Sequence, residues 1–526
     1  MSLLSPGVKW SEVDFSTYAA QLATSVFAVV GESEKGEVGV PIEIAGATEM
    51  LAKIGKPNPN FTDKAVYALD QYFKFGSRAF FIRIARANAV AAESPTIQNA
   101  GGTEDLFRIK ANSVGTWGND YAISIANVQA NNEFDLVVEV LDPTTGQYSE
   151  IERFDAVTLD SSAEREIENI VNDGIDGTLQ SQYVVLDLIY DWSDGPVSPA
   201  EGRYVLGDTS EGGIAGSHGT GNLVDSDYVG NRTLGTGIYA IQDSDTYDIN
   251  VLAAPGAPDP SGNVANAIKE ICEVIRQDCF GIVDPPEELS IPYNSPNVIT
   301  NIKNWRTNTL SGGGYNSSYT SIFWPWAQVY DSYNKRKVWL PPSGFVAQRI
   351  AYTDFLADPW FSPAGLSRGI LPDVLKIGFV TNQGQRDILY DRFVNINCIK
   401  KEPGEGFVIW GNRTNQVKPS ARDQITVRRM LLYLQKTIAT SVKYLVFEPN
   451  DPTMWNTFKA LVNPVFERVK DGRGIEEYAI IMDGTTNNAL RRSRKEAYGI
   501  FKIIPTNTAE KILMDFALFN SGARFS

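Results

Sequence analysis

The order of apolar and polar positions divides the chain into stretches of different period. Thr24 to Gly31 is a continuous apolar run of the kind that makes a buried strand, and Ala79 to Ile84 is a second. Between them the spacing predicts a short helix over Ala47–Ile54 and a longer one over Thr62–Phe75. From about Val90 the texture turns acidic, polar, Gly-rich and strand-prone. Phe134–Val140 is its clearest strand, and a glycine-rich loop from Gly212 to Gly221 marks its end. Alternating α/β pattern resumes at Tyr247–Leu252. Pro255-Gly256 follows, then a helix from Asn263 to Gln277 and the strand Cys279–Val283, which stops at Pro285-Pro286. The middle region therefore reads as a domain inserted into an α/β core.

The final quarter carries the strongest pattern. A helix from Asp423 to about Thr440 leads into a short apolar strand, Tyr444–Phe447, which stops at Glu448-Pro449-Asn450-Asp451. A second amphipathic helix places Trp455, Phe458, Leu461, Val462, Val465 and Phe466 at spacings of three and four. The strand Glu477–Asp483, a turn at Thr485–Asn488 and a last alternating strand then run almost to the C-terminus. No period of about 20–50 residues is present, so a solenoid or propeller is not expected.

A chain of 526 residues exceeds most single domains, and three or four are expected. No run of about 18 apolar residues marks a membrane helix. The segment Met1–Gly7 lacks the basic start and long apolar stretch of a signal peptide, so the cytoplasm is the expected compartment of synthesis. Cys272, Cys279 and Cys398 are an odd number with no histidine nearby, which points to buried core thiols rather than zinc ligands. Charge is unevenly spread. Residues 1–300 carry 17 Lys/Arg against 44 Asp/Glu, a balance of −27, whereas residues 301–526 carry 30 against 19, a balance of +11. Such asymmetry predicts two surroundings for the two halves and head-to-tail attraction between copies.

Catalytic motifs fail one by one. Gly365-Leu366-Ser367-Arg368-Gly369 is a literal G-x-S-x-G, but Pro359–Pro363 before it cannot be a central strand. The single histidine, His218, lies upstream in a glycine-rich loop and is expected to be exposed. An α/β hydrolase using Ser367 is thus a remote alternative. No P-loop lysine follows Gly212-Gly213 or Gly312-Gly313-Gly314. The basic cluster Arg491-Arg492-Ser493-Arg494-Lys495 reads as a solvated turn, an acidic-protein contact or a nucleic-acid patch. No catalytic, cofactor-binding or metal residue is expected.

Several blocks, in order, resemble contractile tail sheath proteins of the bacteriophage myovirus type. They are Leu4–Val8 with Glu12, Gly115-Thr116-Trp117-Gly118-Asn119, Thr236–Ala240, Asp248–Leu252 with Pro255-Gly256, and Asn304-Trp305-Arg306. Ser362–Gly365, Gln385–Tyr390, Val427-Arg428-Arg429 and Phe447-Glu448 continue the series. The resemblance implies an α/β and α+β multidomain fold: an α/β core with an inserted β-rich domain, and a C-terminal α+β domain with extended terminal arms. Its divisions fall at residues 1–20 (N-terminal arm), 21–95 and 231–400 (the two parts of the core) and 96–230 (an outward-pointing insertion). Residues 401–510 would be the inner domain facing a tube, and 511–526 the C-terminal arm strand. The implied function is a structural subunit that stacks in six-membered rings around a tail tube and contracts to drive it through a cell envelope, without cofactor, nucleic acid or membrane insertion. Implied partners are other copies, the tube protein, a baseplate and a terminator or collar protein. The implied location is the virion, after assembly in the host cytoplasm. A bacteriocin or secretion-type injection machine is the alternative setting. Alternation within the arms nominates Val8, Trp10, Glu12, Ile512, Met514, Phe516 and Leu518 as inter-subunit strand residues. Lys459, Arg468, Lys470 and Arg473 are the tube-facing candidates.

Overall fold

A computed structural model describes residues 23–174, 180–192, 195–291 and 297–510. The arm residues Val8, Trp10, Glu12, Ile512, Met514, Phe516 and Leu518 lie outside the described residues. Its centre is a nine-stranded mixed sheet. Six strands are parallel, in the spatial order Ala79–Arg83, Phe27–Gly31, Val251–Ala253, Phe280–Val283, Thr320–Trp324 and Ile396–Glu402. Pro41–Ile44 closes one edge antiparallel, and Gly406–Trp410 with Ile370–Leu371 closes the other. The apolar runs are continuous because both faces are covered. Ala28, Val30, Phe80, Ile82 and Leu252 point into one core, with the helix Asn263–Glu270. Phe27, Val29, Phe81, Val251 and Ala253 point into the other, under the helices Ala65–Tyr72 and Pro342–Leu356. Those two helices approach so closely that a Cβ on Gly344 would stand 2.7 Å from Ala68 Cα.

The helix over Asn263–Gln277 is found in two parts, an α-helix to Glu270 and one π turn, Ile271–Ile275. Cys272 and Cys279 do not share a helix. Cys279 sits at the start of the next strand, and the two buried sulfurs are 3.5 Å apart. All three thiols are buried, and burial pushes Cys398 up to about 12.

The chain leaves the sheet after Arg83 and returns at Val251. Between these points residues from Ala92 to Leu206 build a separate apolar cluster. One antiparallel sheet there is ordered Gly202–Val205, Tyr121–Ala126, Phe134–Leu141, Tyr148–Val157; a second has three strands, including Asp105–Ala111 and Val184–Leu188. Arg83 ties this module to the core. Its buried guanidinium donates to Gly36 O and Val114 O, each at 2.6 Å. His218 belongs to the same junction and is not exposed. It is half-buried, its ring meeting the Phe61 ring edge-on at 5.1 Å and its Nε2 lying 3.1 Å from Thr116 Oγ1. Burial lowers its pKa, and the nearby Arg83 guanidinium adds to that.

The helices Ile425–Val442 and Pro452–Asp471 pack with the antiparallel hairpin Ile475–Ile481/Ile500–Pro505. The second helix starts where Asp451 accepts from Met454 N and Pro452 supplies a preset φ. The expected strand at Tyr444–Phe447 does not form. Lys443–Leu445 is a single 3-10 turn, and Phe447 adopts φ +77°. β-Branched and aromatic composition suggested a strand there, but among the described residues no strand pairs with it.

The first of these helices locks the unit to the core. Arg429 Nη2 is 2.6 Å from Asp354 Oδ2, with both side chains about 4% exposed, and also donates to Thr24 O. Burial raises the Asp354 pKa while Arg429 pulls it down. Lys436 pairs with Asp248 and donates to Ile249 O at 3.0 Å. Removing one partner of such a pair strands a buried charge. Asp354→Ala should therefore cost about 3–5 kcal/mol in a denaturant titration. A loss below about 1 kcal/mol would show that Arg429 is not held by this contact.

Candidate assembly surfaces

In open α/β sheets ligands bind outside the carboxyl ends of the parallel strands. Here that region is occupied by carboxylates turned inward onto helix starts. Asp63 accepts from Ala65 N at 2.9 Å, Glu32 N at 2.7 Å and the Tyr228 hydroxyl at 2.8 Å. Asp284 accepts from Ser343 N at 2.9 Å and from Ser343 Oγ at 2.5 Å, at the start of the long helix. Each satisfies backbone donors that the helix itself leaves free. Burial, reinforced at Asp63 by the Glu32 carboxylate, pushes Asp63 up to about 7, and burial pushes Asp284 to the same value. Ser367 lies in an exposed turn, and the only histidine is packed against Phe61 and Thr116. Among the described residues no three His, Cys, Asp or Glu side chains are placed to hold a metal ion, and no helix is long and apolar enough to cross a membrane.

Two open surfaces belong to the C-terminal unit. Its hairpin is a two-stranded sheet, and among the described residues neither outer edge has a strand partner. Tyr478 and Phe501 stack on Phe466 of the helix, at 4.8 and 5.5 Å, which fixes the inner face. Ile504 remains half exposed on the outer side. Two strands supported on one face, with both edges open, are a template for further strands.

At the far end of the unit Tyr444, Val446 and Phe447 project outward, Phe447 fully exposed. Asn450 Nδ2 donates to Glu496 O at 2.8 Å and joins this loop to the basic turn. There Arg491 stacks on Tyr498 at 4.2 Å, while Arg492, Arg494 and Lys495 are exposed. Sequence reading missed this apolar tip by treating it as a strand. The breaker Pro449-Asn450-Asp451 directly after it was the available signal of a loop.

The four basic candidates do not form one patch. Lys459 and Lys470 are eleven residues apart on the helix, about 20° in angle, and share a flank. Arg468 faces the opposite flank, 3.9 Å from Asp358 of the core. Arg473 lies just past the helix end with φ +66°.

Two family profiles match this chain, the phage tail sheath protein central domain over residues 227–415 and the phage tail sheath C-terminal domain over 417–519. They jointly cover more than half of it, and the chain belongs to the phage tail sheath family. The tail sheath protein of Vibrio phage KVP40 is 29% identical over 302 residues, 55% of this chain and 45% of that protein. That of Enterobacteria phage T4 is 31% identical over 290 residues, 54% of this chain and 44% of that protein. The chain thus spans less than half the length of these relatives. Its fold matches a sheath tail protein of Listeria innocua at TM-score 0.58 and 10% identity, over 92% of this chain and 95% of that one. It also matches the contracted sheath of an extracellular contractile injection system, PVC, at TM-score 0.53 and 14% identity, over 98% of each chain.

Asp63, which is buried, and Asp284, which is partly buried, should make stability depend on pH. Their folded pKa values lie above the ordinary 3.8, so the protonated forms stabilise the fold fully below that value. This stability is lost as pH rises through about 7. Between pH 8 and 6 each should add about 1 kcal/mol, read as a rising melting temperature. Asp63→Asn should remove its share of the slope. A melting temperature that is level over this interval would contradict the assignment.

Proposed function

We propose that this chain is the repeating subunit of a contractile tail sheath, a cylinder that surrounds a tail tube and shortens to drive it through a cell envelope. The observation that carries the reading is the C-terminal hairpin with both edges open, in a chain whose 417–519 region matches the sheath C-terminal domain. The N-terminal arm, residues 1–20, and the arm 511–526 would supply strands to such hairpins on neighbouring copies, with Val8, Trp10, Ile512, Met514, Phe516 and Leu518 as alternate anchors. Main-chain hydrogen bonds would hold the joint, and the chain leading to each arm would take up the rotation between subunits. Residues 21–95 and 231–400 would form the core, 96–230 the outward domain and 401–510 the inner one.

The charge division supports the same arrangement. The acidic first part and the basic last part attract between copies, and the Lys459 and Lys470 flank presents cations to an acidic tube. Exposed ion pairs are individually weak and screened by salt, so many of them can release together. Arg468 is better assigned to the core contact with Asp358 than to a tube. Six copies per ring, a baseplate and a terminator or collar protein complete the set of partners, in a virion assembled in the host cytoplasm. A bacteriocin or secretion-type particle is the alternative setting, and the fold match to the contracted injection-system sheath is consistent with it without favouring it over a phage tail.

Negative-stain electron microscopy of the concentrated protein, alone and with tube and baseplate, tests the reading. Long striated hollow cylinders are expected, lost when residues 1–15 are deleted while the melting temperature holds. Monodisperse particles under both conditions would reject a sheath.

A further inference from the structure

The core carries an open groove that the hairpin edges do not explain. It runs between the turn Ser362–Gly369, the helix Gln383–Leu389 and the strand Gly406–Trp410, with a volume of about 360 Å³. Two of the blocks that carry the family resemblance, Ser362–Gly365 and Gln385–Tyr390, converge on it from separate parts of the chain. One wall is made by Thr508, Ala509 and Glu510. After the hairpin, Thr506 N still donates to Gly474 O within the C-terminal unit. Four residues on, the chain has crossed to the core. Thr508 N donates to Gln424 Oε1 at 3.4 Å, and the Tyr390 hydroxyl donates to Glu510 Oε1 at 2.8 Å. Arg413 stacks on the same Tyr390 ring at 4.5 Å and stands 3.7 Å from Glu510 Oε2. The chain is thus steered into the groove and held there by a charged clamp.

The groove also holds an unmet acceptor. Asn412 lines it and is 4% exposed; its Nδ2 donates to Thr426 Oγ1, while its buried Oδ1 has no partner among the described residues. Buried acceptors are ordinarily paired, so this oxygen calls for an N–H donor. Opposite kinds of group are close by, the guanidinium groups of Arg368 and Arg386, which suit carbonyl oxygens. An extended backbone presents both kinds of group in alternation. Exposed Trp410 adds an apolar contact.

We propose that this groove is the docking seat of the residues that follow Glu510, so that in the unassembled subunit the C-terminal segment is parked on its own core. It rests on reading residues 511–526 as an arm. Tethering gives the chain's own segment a high effective concentration at the seat, and a neighbour's hairpin must outcompete it before a strand can be donated. Premature polymerisation is thereby restrained without any ligand.

The test uses the full chain, dilute and unassembled, with Met514 replaced by a photo-crosslinking benzoylphenylalanine. Heavy-isotope and light chains are mixed so that crosslinks within and between chains differ in mass. Crosslinks within one chain, to peptides containing residues 383–390 or 406–412, are expected. Ala364→Trp, which fills the groove, should lower their yield at least fivefold with an unchanged melting temperature. Crosslinks only between chains, only to the hairpin, or none would overturn the proposal, and the unsubstituted chain decides even if Ala364→Trp does not fold. Cylinders in the microscope without groove crosslinks would sink the docking seat and leave the sheath standing. Groove crosslinks without cylinders under any condition would do the reverse.

Discussion

Arg429 holds three parts of the chain at once. Its guanidinium contacts Asp354 at the end of the long core helix, Thr24 O where the first strand is about to begin, and Pro359 O in the following turn. A buried ion pair is weak evidence for net stability, because desolvation offsets most of the attraction. Its value here is positional. The helix that carries it packs on both units, with Ile425 and Leu432 in the core and Met430, Leu434 and Ile438 in the C-terminal cluster. One helix facing two cores needs a fixed register, and a guanidinium with several planar donors specifies register better than apolar packing does.

The parts of the fold legible in the sequence were those where one physical demand acted alone. Phe27–Gly31 and Ala79–Arg83 are covered on both faces, so their apolar runs needed no alternation to be recognised. The helix Pro452–Asp471 was visible because Met454, Trp455, Val462, Val465, Phe466 and Val469 bury one stripe. Where two demands competed, the pattern misled. Tyr444–Phe447 has a strand's composition but projects outward, and among the described residues no strand pairs with it. His218 sits among glycines and looked solvated, yet the loop folds back on Phe61, a contact more than 150 positions away in sequence. The groove beside Asn412 joins segments from residues 362 to 510, a convergence no local pattern contains. Sequence alone groups the four basic candidates together; in the structure Lys459 and Lys470 share a helix flank, while the diversion of Arg468 to Asp358 depends on how two units meet.

The same comparison explains why an α/β core here carries no visible chemistry. Asp63 and Asp284 occupy the places from which such sheets usually present polar groups to a ligand, and both are engaged by backbone amides and hydroxyls. These two helix N-termini are satisfied from within. The open features are strand edges, an apolar tip and a groove, shapes that suit polypeptide better than a small molecule.

The junction at Arg83 has a consequence for how such a chain can change. The packing of the insertion is its own, from Ala92 to Leu206. Its attachment includes Arg83 to Val114, Gly36 N to Ser113 Oγ, His218 between Phe61 and Thr116, Lys35 over the Tyr183 ring, and Asn88 to Thr220. A module joined in this way can be lengthened, recoloured in charge or exchanged for another without rewriting the machine beneath it. The module is thus free to diversify at a pace of its own, while the sheet and its clamped helix stay fixed.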